Sequence, residues 1–178
     1  MKNIFAIIGS ASKDSSNLKL VIEIAKQTRD YFNITVFDKL KDLPHFDPDL
    51  SLEQTPEEIL QFRQAIEQAD GLLICTPEYV FSIPSGLKNA IEWCVATTIF
   101  SNKPTGIITA SANGQKCHEE LQLILRTIDA KFTEKTTLLI HGVKGKVNLD
   151  GMITDSATRL ALNDFIDAFR ELDFTSNS

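Results

Sequence analysis

A buried strand, a polar loop and the start of a helix follow one another in residues 71–93, which read GLLICTPEYVFSIPSGLKNAIEW. Residues 71–75 are short and almost wholly apolar, as is typical of a strand buried on both faces of a parallel sheet. Thr76 and Pro77 end the strand, and from Leu87 apolar residues recur at helical spacing. In an open α/β sheet such a loop lies beyond the carboxyl end of a strand, where ligands bind.

A second loop, GSASKDSSN at residues 9–17, follows the apolar run at residues 3–8. Its glycine permits a tight turn, and a helix that starts near Ser16 offers free backbone N–H groups and its positive dipole end. Neither GxGxxG nor GxxxxGK[ST] is present, which argues against a dinucleotide fold and a P-loop. Helix capping by Ser15 or Ser16 is the bland alternative, but four hydroxyls exceed what a cap needs. We therefore predict a phosphate site, with hydroxyl donors at Ser10, Ser12, Ser15 and Ser16 beside Gly9.

A third loop, ASANGQK at residues 110–116, comes after the strand-like run at residues 104–109. Asn113 and Gly114 tolerate positive φ, which lets consecutive N–H groups point inward. An ordinary connection between a strand and a helix is an equally good interpretation of this segment alone.

The run at residues 77–93 resembles PEYNxSIPGxLKNAIDW, the signature of the NADPH-dependent FMN reductase family, a flavodoxin-like group of quinone, azo-dye and chromate reductases. Val80 stands where that family often has asparagine, and Glu92 replaces aspartate. The second loop is similar to the family's GSxRxxSxN, in which Ser12 takes the place of arginine and Lys13 is a nearby substitute. The matched positions of that loop are Gly9, Ser10, Ser15 and Asn17.

The resemblance implies FMN as the bound cofactor and NADPH or NADH as the co-substrate. It places the FMN phosphate on the second loop, where Asn17 joins the residues named above, and it expects no catalytic side chain because the flavin carries the hydride chemistry. One open face of the ring would serve NAD(P)H and then a quinone or related small acceptor, which implies ping-pong kinetics. The residues that would flank the ring are Pro77, Glu78, Tyr79 and Val80, and those that would cover its pyrimidine edge are Ser111, Ala112, Asn113, Gly114 and Gln115.

The remaining segments alternate between strand and helix patterns, which predicts a flavodoxin-like three-layer sandwich with a five-stranded parallel sheet of order 2-1-3-4-5. We expect one FMN-binding domain over residues 1–178. The predicted strands are residues 3–8, 33–37, 71–75, 104–109 and 136–140, and the predicted helices are residues 18–31, 56–69, 117–130 and 154–172 together with the helix from Leu87.

Composition narrows the partners and the compartment. A net charge of −6 without a basic stripe argues against nucleic acid or an anionic membrane as a partner. The sequence shows neither an export signal nor a long apolar run, and its three cysteines lack paired spacing, so we expect free thiols and a cytoplasmic protein. His118 and His141 are isolated in sequence, which predicts surface positions and no metal site.

Two questions about function and assembly stay open at this level. A phosphoacceptor signalling domain is disfavoured because Gly9, Ser10, Thr76 and Pro77 occupy the places where it needs acidic residues. A non-catalytic FMN electron carrier or a redox-sensing module remains an alternative to an enzyme. We also predict a homodimer or homotetramer, on the expectation that an apolar stretch between Glu92 and Lys103 is exposed, with Trp93, Ile99 and Phe100 as its members.

Overall fold

A computed structural model describes residues 1–12, 14–148 and 151–174 of the chain. Strands and helices alternate along these residues, with three short 3-10 turns between them. The strands are β1 (Lys2–Ile8), β2 (Phe32–Phe37), β3 (Gly71–Thr76), β4 (Thr105–Ser111) and β5 (Thr137–His141). The helices are α1 (Ser16–Gln27), α2 (Glu57–Gln68), α3 (Ser85–Glu92), α4 (Gln115–Thr127) and α5 (Ser156–Arg170).

The five strands form one parallel sheet of order β2-β1-β3-β4-β5, which confirms the predicted flavodoxin-like order. Ile8 at the end of β1 is paired with Cys75 of β3, and Thr76 at the end of β3 is paired with Thr109 of β4. Because these pairings align the carboxyl ends of the strands, the loops at residues 9–15, 77–84 and 112–114 emerge side by side.

The sheet is apolar on both faces because helices cover both. Alternate residues of β1 point to opposite layers: Ile4 and Ile8 pack with α1 and α5, whereas Phe5 and Ile7 pack with α2, α3 and α4. This two-sided burial explains why the central strands β1 and β3 read as continuous hydrophobic runs, whereas the edge strand β2 alternates. None of the helices in the described part of the chain is long and apolar enough to cross a membrane.

Two helices end before the last apolar residue of their sequence pattern. Tyr31 lies outside α1, which ends at Gln27 with Thr28 as its C-cap residue. The N–H (2.9 Å) and the hydroxyl (2.8 Å) of Thr28 both donate to the Ile24 carbonyl. The third helix ends at Glu92, so Val95 lies beyond it and is 60% exposed.

The prediction that Trp93 lies exposed and anchors an interface is wrong. Trp93 is fully buried, its ring packs edge-on against Phe46 with centroids 5.3 Å apart, and its indole N–H donates to the Pro44 carbonyl at 2.8 Å. Asn89 of α3 reinforces this packing by bonding Phe46 N and Pro44 O. Helical periodicity gives no sign that the loop after β2 folds back over α3. Phe100 is likewise buried, and Ile99 is partly buried against the same core, so none of the three residues is an exposed anchor.

Candidate cofactor-binding site

A cavity of ≈ 610 Å³ opens at the carboxyl edge of the sheet, between the loops that follow β1, β3, β4 and β5. A groove of ≈ 700 Å³ lies beside the amino-terminal end of β1 and the end of α5, and none of the predicted site residues borders it. Gly9, Val80, Asn113 and Gly114 do not line the ≈ 610 Å³ cavity. The predicted residues that do line it are Ser10, Ser12, Ser15, Ser16, Asn17, Pro77, Glu78, Tyr79, Ser111 and Ala112.

The loop after β1, which we call the serine loop (residues 9–17), owes its shape to local contacts. Gly9 passes so close to β3 that a Cβ atom there would lie 2.1 Å from the Thr76 hydroxyl oxygen, so close approach requires glycine at this position. Ser15 caps α1 by accepting the N–H of Leu18 at 3.1 Å. The earlier N–H groups of the first helical turn have no intrahelical partner and remain available to an anion.

Asn17 acts on the scaffold with its side chain. It is 3% exposed, its amide donates to the Ala110 carbonyl at 3.2 Å, and its amide oxygen accepts the Cys75 thiol at 3.3 Å. These bonds join the start of α1 to β3 and β4. The sequence motif marked Asn17 as a site residue, and its carboxamide is committed to holding three segments together.

The loop after β3 contains a two-residue hairpin, defined here as Tyr79 to Ser82. The backbone N–H and carbonyl groups of Tyr79 and Ser82 exchange hydrogen bonds at 3.0 and 3.1 Å. The tip residues, Val80 and Phe81, have φ of 51° and 59°, and they are 94% and 72% exposed. Positive φ at both positions is the type I′ turn, which favours Asn-Gly, so a β-branched valine there is strained. The asparagine that the related signature carries at this position suits the turn better.

Two carboxylates connect this loop to α4. Glu78 accepts the backbone N–H of Gly114 at 3.2 Å and of Cys117 at 3.1 Å, and so supplies the cap that Gly114, the N-cap residue, lacks. In the opposite direction, Glu120 of α4 accepts the Ser82 hydroxyl at 2.7 Å and the Ile83 N–H at 2.9 Å. None of these four hydrogen bonds could be inferred from the sequence, since the partners are separated by more than thirty residues.

The loop after β4 turns its carbonyls toward β5. Ala112 O accepts the N–H of Gly142 at 3.1 Å, and Asn113 O accepts from His141 Nδ1 at 2.6 Å. In a trans peptide the N–H points opposite the carbonyl, so the N–H groups of Asn113 and Gly114 face away from β5. Gly114 has φ of 91° as predicted, whereas Asn113 lies outside the left-handed region.

Two side chains in α4 are buried next to these loops. His118 is 8% exposed and is hydrogen-bonded through Nδ1 to the Thr109 hydroxyl at 2.9 Å, so its predicted surface position is wrong. Burial lowers the pKa of His118. Burial also raises the pKa of the Cys117 thiol to about 12, helped by the charges of Glu78 and Glu120, which disfavours the nucleophilic thiolate.

The fourth wall of the cavity, residues 142–145, was missed from the sequence. Its signal was the glycine-flanked GVKG directly after β5, at the same edge of the sheet. Lys144 is the only cation among the described residues that line the cavity, and Asp14 on the rim is paired with Lys19 at 2.8 Å. Lys13, the predicted substitute for the family's arginine, lies outside the described residues.

Comparison with known protein families agrees with the geometry of the cavity. The model of the NADPH-dependent FMN reductase family matches residues 2–144. The chain belongs to this family. Its match ends at Lys144, so it includes the loops after β1, β3 and β4 and all of the fourth wall except Gly145.

Similar proteins and structures agree. A quinone reductase of Escherichia coli (strain K12) is 30% identical over 175 residues, covering 94% of this chain and 93% of that protein. An NAD(P)H:quinone oxidoreductase of Solanum tuberosum is 30% identical, covering 93% and 90%. The flavoenzyme NAD(P)H:(acceptor) oxidoreductase FerB from Paracoccus denitrificans superposes with a TM-score of 0.76 at 26% identity, covering 96% of each chain.

Proposed function

We propose that residues 1–178 form one FMN-binding domain that oxidises NADPH or NADH and reduces quinones or related small electron acceptors. The observation that carries this proposal is the shared cavity, which brings the serine loop, the loops after β3 and β4 and the Lys144 segment to one place. The family match and the quinone reductases among its relatives support it.

The residues present fit FMN. The cavity of ≈ 610 Å³ is within the usual range of small-molecule sites. The N–H groups of α1 and the hydroxyls of Ser10 and Ser12 suit a phosphate, and Lys144 adds a positive charge to the lining. Pro77, Tyr79 and the small residues 110–112 provide walls that suit a planar ring.

Bound FMN supplies the hydride and electron chemistry, so the work of the chain is binding and orientation. The serine loop would hold the phosphate, and two residues that line the cavity, Ser111 at the end of β4 and Ala112 directly after it, would border the ring. We further propose that NAD(P)H and the acceptor use one open face in turn, which gives ping-pong kinetics.

The visible spectrum is the first test. The purified protein should be yellow, acid should release FMN, anaerobic NADPH or NADH should bleach the flavin absorbance, and a quinone should restore it. A colourless protein that fails to bind added FMN at micromolar concentration would refute the proposal. A flavin that is bleached but supports no steady-state NAD(P)H oxidation would instead favour the electron carrier or the redox sensor.

Assembly into a homodimer or homotetramer remains part of the proposal, on a different surface from Trp93. The hairpin tip exposes Val80 and Phe81 beside the cavity, and two neighbouring exposed apolar side chains favour contact with another subunit. Light scattering of the native protein and of Phe81→Ser tests this, with a smaller species expected for the variant. A native monomer at micromolar concentration contradicts it.

We also propose a cytoplasmic location. Cys75, Cys94 and Cys117 are all free and buried, which suits a reducing compartment. Localisation of a tagged chain in fractionated cells tests this directly.

A further inference from the structure

The loop after β3 and helix α4 are joined by two carboxylates, one from each segment, and each accepts hydrogen bonds from the other segment. Glu78 reaches from the loop to the N–H groups of Gly114 and Cys117, at the positive end of α4. Glu120 reaches back from α4 to the Ser82 hydroxyl and the Ile83 N–H. We call these four hydrogen bonds the clasp. Each involves a negatively charged acceptor, which makes it stronger than a bond between neutral groups.

The hairpin that the clasp holds has a backbone conformation that is unfavourable for its tip residues. Val80 and Phe81 both occupy the left-handed region, which costs about 1–2 kcal/mol for each residue other than glycine. Within the single chain their side chains are 94% and 72% exposed, so packing inside the subunit offsets little of this cost. The hairpin therefore depends on contacts at its base, and Ser82 and Ile83 are the residues that Glu120 holds there.

The base of the hairpin also carries a wall of the cavity. Tyr79, the first hairpin residue, lines the cavity, and its hydroxyl lies 3.3 Å from Ser10 Oγ in the serine loop. If the hairpin relaxes, Tyr79 moves and the wall moves with it. Glu120 is not among the residues that line the cavity, so any effect of its loss on ligand binding is indirect, and its bonds to Ser82 and Ile83 lead to the hairpin.

We propose that Glu120, together with Glu78, is a positioning residue that keeps the strained hairpin in the conformation that receives the flavin ring. This inference rests on the proposed FMN function. It has a specific corollary: a substitution that removes the strain at the tip makes the hairpin less dependent on Glu120. Val80→Asn is that substitution, because asparagine tolerates the left-handed conformation.

The experiment compares Glu120→Ala with Glu120→Gln, Val80→Asn, and the double variant Glu120→Ala/Val80→Asn. Glu119→Ala is the matched control, since Glu119 is the exposed neighbour on α4 and bonds only Gln115 and Lys116 in the described chain. Amide hydrogen exchange of peptides covering residues 77–84 is measured on protein stripped of FMN. The dissociation constant of FMN is then measured by fluorescence quenching.

For Glu120→Ala we expect exchange at the hairpin amides to become about tenfold faster and FMN binding to weaken about tenfold, as the loss of charge-assisted bonds predicts. Glu120→Gln keeps an acceptor oxygen and should stay within about threefold of the native protein. Adding Val80→Asn to Glu120→Ala should restore most of both losses, whereas Glu119→Ala should change neither.

Several results would overturn the inference. Glu120→Ala with the exchange and FMN affinity of Glu119→Ala would show that the clasp does not hold the hairpin. Faster exchange with unchanged FMN affinity would show that the hairpin does not position the ring. A double variant no better than Glu120→Ala would show that tip strain is irrelevant. Should Glu120→Ala fail to fold, Ser82→Ala removes one clasp bond and takes its place.

The exchange measurement separates this inference from the proposed function. If the native protein binds no FMN, the proposed function fails, and the exchange of stripped protein still reports whether the clasp holds the hairpin.

Discussion

The serine loop and the hairpin loop leave the same edge of one sheet and border one cavity, yet they are stabilised in different ways. The serine loop is shaped by contacts of its own residues: Gly9 fits against β3, and Ser15 caps the helix three residues ahead. The hairpin loop is held by Glu78 and Glu120, whose bonds reach 36 to 39 residues along the chain.

The difference teaches where each loop is vulnerable. At Gly9 of the serine loop an added methyl group has no free space, because the backbone lies against Thr76 of β3. In the hairpin loop the tip is exposed and sterically free, and the cost lies in the backbone conformation itself. Substitutions should therefore damage the first loop through packing and can improve the second through its turn.

The largest effect is expected from Gly9→Ala. The new Cβ would lie 2.1 Å from Thr76 Oγ1 and 3.1 Å from Thr76 Cα, so the strand pairing itself must shift. We expect the free energy of unfolding to fall by about 3 kcal/mol, the upper end for overpacking, and FMN binding to be lost. Denaturation in guanidinium chloride measures the first, and fluorescence quenching the second.

Gly145→Ala is the control for Gly9→Ala. Gly145 borders the same cavity, but nothing lies within 4 Å of the position its Cβ would take, and its φ is ordinary. A change within about 0.5 kcal/mol is expected. Equal losses in the two variants would contradict the packing explanation.

Asn17→Ala should have the next largest effect, by removing scaffold bonds. It would leave the buried Ala110 carbonyl and Cys75 thiol without their partner, which costs about 2 kcal/mol of unfolding free energy even without FMN. Ser16→Ala, one residue earlier on the cavity wall, should leave stability unchanged and weaken only FMN binding. A stable Asn17→Ala variant with weak FMN binding would return Asn17 to direct phosphate contact.

These two loops also explain how far the sequence could predict the molecule. Continuous apolar runs predicted the buried strands β1 and β3, because two-sided burial leaves that pattern, and the alternation of strands and helices predicted the order of the sheet. The serine loop was recognisable because its requirements, a glycine at a close approach and a cap before α1, are met by residue types at fixed spacing. Both the strands and the serine loop depend on residues that are close in sequence, so both could be predicted from the sequence.

The errors lie where distant segments meet. Val80 and Phe81 carry no type I′ turn signal, and nothing near Glu120 reveals its partner at Ser82. Trp93 was assigned to the surface because the loop that covers it comes from residues 44–46, nearly fifty positions earlier. His118 was placed outside for a similar reason, since its partner is Thr109 in the core of the sheet.

Val80→Asn should have a smaller effect, of opposite sign. Asparagine adopts the left-handed conformation more readily than a β-branched residue, so the unfolding free energy should rise by about 1 kcal/mol. Val95→Asn is the control, because Val95 is 60% exposed in an ordinary backbone conformation, and it should change stability by less than about 0.5 kcal/mol. Measurements at two protein concentrations separate turn strain from any effect on assembly. A destabilised Val80→Asn would refute backbone strain at the tip.

The smallest effect is expected at Cys117, where the hairpin loop meets α4. Its place in the first turn of a helix would by itself lower the pKa of the thiol, but burial and the charges of Glu78 and Glu120 raise that pKa to about 12. At pH 8 only about one molecule in ten thousand then carries the thiolate. Native protein treated with iodoacetamide should therefore remain unmodified at this residue and keep its NAD(P)H oxidation, while denatured protein is alkylated at all three cysteines.

The rate of Cys117 alkylation, measured in the hairpin variants and in Gly9→Ala, tests both loops with one assay. The Cys117 thiol donates to the Pro77 carbonyl at 3.3 Å, just before the hairpin, so Glu120→Ala should expose it and speed its alkylation. Gly9→Ala acts on the other loop and should speed alkylation only as far as it promotes global unfolding, which the denaturation curve reports independently. Rapid alkylation of the native protein, with a pH dependence whose midpoint lies near neutral pH, would contradict the burial of this thiol. The distinction between a sterically tight loop and a loop held by the clasp would then also be lost.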